Sequence, residues 1–97
     1  MARYFLHWEI VPARMPNNPQ EIATGWKQLM QLVHKDMEQG TLKDWGAFPG
    51  DRGGYCIAEG DPVSIMAFTT QYAPFVDFTV HPVASVKEVD DFLNKML

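Results

Sequence analysis

Hydrophobic and polar positions follow two rhythms along this chain. Residues 3–11, Arg-Tyr-Phe-Leu-His-Trp-Glu-Ile-Val, are mostly aromatic or branched, and Pro12 stops the run. That composition predicts a strand. One parity, Tyr4, Leu6, Trp8 and Ile10, is wholly apolar, while Phe5, His7, Glu9 and Val11 are mixed. Such a strand buries one face and keeps the other partly polar. A loop from Pro12 to Pro19 follows, and the rhythm then becomes helical. Asn18 serves as N-cap, Pro19 as N1 and Glu21 as N3. Ile22, Trp26, Leu29, Met30, Val33 and Met37 recur at helical spacing, with Lys27, Gln28, Gln31, Lys35 and Glu38 opposite them. Gly40 closes the helix as a left-handed residue, so the predicted helix is 19–39.

Residues 41–49 read as a second strand of weaker pattern, and Gly50 to Gly54 as a turn. Residues 54–59 form a third strand, which makes 41–59 a hairpin. Asp61-Pro62 opens a second helix, with Ile65, Met66, Phe68, Thr69 and Tyr72 on its inner face and Pro74 as its stop. Residues 75–83 are a fourth strand. Val76, Phe78 and Val80 share one parity; Phe75, Asp77, Thr79 and His81 share the other. Ser85 and Glu88 form a capping box for a last helix whose stripe is Val86, Val89, Phe92, Leu93 and Met96. The order βαββαβ plus a C-terminal helix is that of an α+β, ferredoxin-like domain spanning 1–97. Its sheet is expected to be antiparallel in the order 4-1-3-2, with the helices on one face. No further element is left to cover the other face, and a second copy of the sheet is the economical cover.

Composition strengthens that expectation. The chain has 97 residues, of which three are Trp, six Phe, three Tyr and six Met. A domain this small buries only about 60–65% of its unfolded surface, so some of that apolar area calls for a partner. Net charge is -4, with the eight basic residues scattered, so no phosphate-binding stripe forms and nucleic acid is not expected as a partner. No run approaches the roughly 20 apolar residues of a membrane span, and no apolar leader follows Arg3. The single Cys56 excludes a disulfide framework within the chain and a multi-cysteine zinc site. A cytoplasmic location is expected.

Two segments carry a resemblance. Gly53-Gly54-Tyr55-Cys56-Ile57-Ala58-Glu59 precedes a short helix, and Ala73-Pro74-Phe75-Val76-Asp77-Phe78-Thr79-Val80-His81-Pro82-Val83 forms the last strand. With the element order, they resemble small uncharacterised proteins of the dimeric α+β barrel superfamily, in which muconolactone isomerases have a similar proline-aromatic-x-acidic strand. The resemblance covers about residues 2–83 and leaves the last helix as an appendage. It implies two ferredoxin-like sheets packed face to face as a homodimer, with ligands held between sheet and helices or inside the barrel. Isomerases, cofactor-free monooxygenases, haem enzymes and ligand sensors share this architecture, so it does not select a chemistry. No catalytic residue of the isomerases carries over.

The polar parities supply the candidate chemistry. His7 and Glu9 lie on strand 1, and Asp77, Thr79 and His81 on its expected antiparallel neighbour. Facing one side, they form an acid–base pair or ligand pocket, a metal site, or a polar patch at a dimer interface. Tyr55, on strand 3, offers a phenol to the same place or packs in the barrel. Trp45 is a pocket or dimer contact, Trp8 and Trp26 are core, and Cys56 is a buried thiol. Arg52 belongs to the hairpin turn. The leading expectation is a homodimer that binds a small apolar or aromatic molecule between sheet and helices. As an enzyme it would use His7, Glu9 and Asp77 in proton transfer or cofactor-free oxidation, with His7 or Glu9 as base and Asp77 orienting it. Tyr55, Trp45, Thr79 and His81 would hold the ligand, with no metal and no cofactor. The alternative is a non-catalytic dimeric sensor, scaffold or accessory protein.

Overall fold

A computed structural model describes residues 2–97. Strand β1 (Arg3–Ile10) is followed by a 3-10 turn at Pro12–Arg14 and helix α1 (Pro19–Glu38). Then come β2 (Leu42–Ala47), β3 (Gly53–Glu59), α2 (Pro62–Thr70), β4 (Val76–Val83) and α3 (Val86–Met96). The four strands form one antiparallel sheet ordered β2-β3-β1-β4, compatible with the predicted 4-1-3-2.

The apolar parity of β1 decides where the helices lie. Leu6, Trp8 and Ile10 are buried, as are Cys56 and Ala58 on β3 and Val76 on β4. Helices α1 and α2 and the turn after α2 cover this face through Val33, Ile65, Phe68 and Tyr72. Trp8 stacks on Trp45 with centroids 5.2 Å apart and meets the edge of Trp26 at 5.9 Å. Its indole N–H donates to the Tyr55 carbonyl at 3.1 Å, which satisfies the one polar atom this ring brings inside. Gly54 makes room for it, because a Cβ there would run into the Gly46 carbonyl and the Trp8 ring.

Local capping follows the predicted chemistry. Asn18 accepts from the amides of Gln20 and Glu21, and Gly40 has φ +84°, the left-handed conformation that glycine adopts at no steric cost. Helix α2 ends at Thr70, short of the predicted stop at Pro74. Residues 71–73 tighten into turns, with the Tyr72 amide on the Thr69 carbonyl and the Ala73 amide on that of Thr70. Met66 is exposed rather than inward, because the buried residues of α2 are Ile65 and Phe68 and Met66 lies about 100° around from Ile65. Met37, in the last turn of α1, is exposed although it continues the apolar stripe, and Val80, on the edge strand, is exposed as well.

The capping box of α3 is fully formed, yet α3 contains no buried residue. The molecule measures 59 × 26 × 18 Å with a radius of gyration of 15.9 Å. A compact chain of this length has about 12.5 Å. No helix among the described residues is long and apolar enough to cross a membrane.

Candidate functional site

The sheet face turned away from α1 and α2 carries the mixed parities of three strands. Register brings them together. His7 lies between Tyr55 on β3 and Thr79 on β4, Glu9 lies opposite Asp77, and Phe5 lies between Ile57 and His81. His7, Glu9, Asp77, Tyr55, Thr79 and His81 therefore share one face. Trp45 lies on the opposite face, where it stacks on Trp8 among the helix-covered core residues and apart from the other six. A bulge between Leu42 and Asp44 inserts one residue into β2 and reverses the facing of everything after it.

His7 Nδ1 lies 3.9 Å from Glu9 Oε1, with the imidazole 35% and the carboxylate 65% exposed. This is the spacing of an ion pair when the ring is protonated, and it leaves Nε2 as the free nitrogen. Nε2 points over Gly53, where a Cβ would sit 3.4 Å away. Asp77 is the cross-strand neighbour of Glu9 rather than of His7. So the group beside the imidazole is Glu9, and Asp77 adds a second carboxylate next to that one.

Aromatic rings frame the polar pair. Phe48 stacks on His7 at 6.0 Å and on Tyr55 at 6.4 Å, and Phe5 stacks on Tyr55 and meets His81, both at 6.2 Å. The Tyr55 hydroxyl donates to Asp44 Oδ2 at 2.7 Å, and that bond raises the phenol's pKa above its usual value, so it stays protonated. Phe5, Asp44, Phe48 and Ile57 were missed in the sequence. The parity of Phe5 with His7 and of Ile57 with Tyr55 marks two of them, whereas Asp44 and Phe48 are set by the bulge and the turn. Among the described residues no three His, Cys, Asp or Glu side chains converge in a way that could hold a metal ion.

Residues 2–97 match the family described as Domain of unknown function (DUF3303). The chain belongs to that family. The match runs from β1 through α3, so the last helix is part of the family's domain rather than an appendage to it. No curated protein matches the chain.

The space between sheet and helices offers little room. The cavity among Trp8, Trp26, Trp45, Cys56, Phe68 and Tyr72 is about 20 Å³, the size of a single water. Cys56 lines this cavity, and burial pushes its thiol up to about 12, which removes it as a nucleophile near neutral pH. A larger groove of about 440 Å³ opens on the outside of α1, floored by Met15, Leu29, Leu32 and Phe75 with Arg14 and Glu21 at its sides. None of the predicted site residues lines it.

Proposed function

We propose that this chain is a homodimer of the dimeric α+β barrel type, whose two open sheet faces enclose a site for a small aromatic or apolar molecule. The observation that carries this reading is the convergence of His7, Glu9 and Asp77 on a face lined by Phe5, Phe48 and Tyr55. Aromatic walls with a few polar groups among them are the usual make-up of a small-molecule site. Within such a site His7 is the base. Its Nε2 takes a proton from a carbon next to a carbonyl and returns it to another carbon of the same molecule, so composition and charge are unchanged. Glu9, 3.9 Å from Nδ1, stabilises the imidazolium by its charge. The aromatic walls exclude water, which strengthens that pairing.

The second reading is a dimer without chemistry. One observation favours it: the polar groups are already partnered, Tyr55 by Asp44 and Arg3 by Glu59 at 3.0 Å, as at a closed interface. Native mass spectrometry on the protein as purified separates the two. A dimer carrying a reproducible small adduct, lost in His7→Ala and Glu9→Ala, supports the binding site. A clean dimer favours the closed interface, and an adduct indifferent to both substitutions overturns the site.

A further inference from the structure

We propose that α3 is an arm that packs its apolar stripe against a second copy of this chain, so that the dimer is locked by reciprocal exchange of the last helix. The first observation is the stripe itself. Val86, Val89, Phe92, Leu93 and Met96 lie on α3 and are 44–81% exposed. The second is the length of the helix. Eleven residues make a marginal helix on their own, and its persistence depends on packing an amphipathic face. The third is its exit from β4. Only Ala84 and Ser85 separate the two elements, and both bonds of the capping box are made, Glu88 amide to Ser85 Oγ at 3.1 Å and Ser85 amide to Glu88 Oε1 at 3.0 Å.

Surface area identifies the occupant. The chain exposes 6874 Å², whereas a monomer of 11.0 kDa exposes about 5,600 Å². The excess, roughly 1,250 Å² per chain, becomes about 2,500 Å² of buried surface when two copies meet, within the range of obligate homodimers. A two-fold contact uses the same surface on both copies, so one α3 per chain serves both. Continuity points the same way, because β4 borders the open face through Asp77, Thr79 and His81 and leads directly into α3. A second copy seated on that face is within reach of a helix about 16 Å long. In this respect the arm rests on the dimer proposed above, and the experiment separates the two.

Sedimentation equilibrium from about 0.1 to about 100 μM compares the full chain with two variants, Phe92→Asp/Leu93→Asp on α3 and Ile57→Asp on the open face. Near-ultraviolet circular dichroism of the Trp8, Trp26 and Trp45 cluster checks that each is folded, and a variant without that signal is replaced by the corresponding serine substitution. The expected result is a dimer whose dissociation constant rises at least about 100-fold in the α3 variant, the scale of losing central interface anchors. If Ile57→Asp also weakens it, the arm and the sheet interface both stand. If only the α3 variant weakens it, the arm stands and the sheet interface falls. An α3 variant that dimerises like the unaltered chain overturns the arm, and so does a full chain that is monomeric throughout.

Discussion

Asp36 is the one charged side chain among the described residues that is buried, at 2% exposure, and it faces no cation. Its Oδ2 accepts from the Tyr72 hydroxyl at 2.8 Å and its Oδ1 from Gln71 Nε2 at 3.3 Å. These bonds tie α1 to the end of α2 beneath the sheet that carries the site. Tyr72→Phe deletes the shorter bond without opening a cavity. A hydrogen bond to a charged group contributes about 1.5–3 kcal/mol, and the carboxylate would keep only the longer contact, so a loss of about 2–3 kcal/mol is expected. For a chain of this size that lowers Tm by about 10 °C or more. Asp36→Leu alone strands the Tyr72 hydroxyl and is also destabilising, whereas the double variant Asp36→Leu/Tyr72→Phe replaces both partners and recovers much of the loss. Urea unfolding followed by circular dichroism measures the three differences, at one fixed protein concentration because the proposed dimer would contribute to apparent stability. A coupling of about 1.5 kcal/mol or more is expected between the sites. Additive single effects, or a Tyr72→Phe loss under about 0.5 kcal/mol, would refute the claim that this buried pair holds the helix layer together.

Two further perturbations test the framework around the site. Gly54→Ala should leave little folded protein at room temperature, because the new methyl would meet the Gly46 backbone and the Trp8 ring, neither of which can yield cheaply; far-ultraviolet circular dichroism of a native-like variant would disprove this. The Glu88 carboxyl is held below its ordinary pKa, chiefly by the Ser85 amide and then by the Ser85 hydroxyl. A lowered folded-state pKa means that its contribution is present above about 4.3, the unfolded value, and is lost as pH falls through the folded one. Amide chemical shifts of residues 86–90 should therefore report fraying of the first turn of α3 in acid, and Glu88→Gln, whose amide oxygen still accepts from the Ser85 amide, should abolish that pH dependence and keep the first turn ordered in acid.

Much of the fold was legible because its determinants are local. The alternation of Tyr4, Leu6, Trp8 and Ile10 against Phe5, His7 and Glu9 fixes the two faces of β1 from a single segment. Asn18-Pro19 and Ser85 with Glu88 start their helices through bonds spanning two or three residues. What stayed hidden depends on a second element. Leu42 and Trp45 both face the helices although they are three positions apart, and period-two reading fails there because the bulge is set by pairing with β3. Asp36 falls three residues after Val33 on the inner stripe of α1, a visible irregularity, but its reason is a hydroxyl 36 residues away. The Asp44–Tyr55 bond and the Phe48–His7 stack likewise need the hairpin closed before they exist.

Helix α3 stands apart from both cases. Its stripe was as plain in the sequence as that of α1, and its cap forms as the residues require, yet the structure buries none of it. Apolar side chains at five helical positions lower the solubility of an unpacked arm and gain nothing there, since burial is what makes an amphipathic helix of this length stable. The same holds for the rings of Phe48 beside His7 and Phe5 beside His81, which strengthen the imidazoles' interactions only once water is excluded from between them. Both surfaces have the chemistry of interiors. In the proposed dimer a second copy of the chain would cover both at once, because a face-to-face sheet contact would carry each β4, and with it each α3, to the edge of the other molecule.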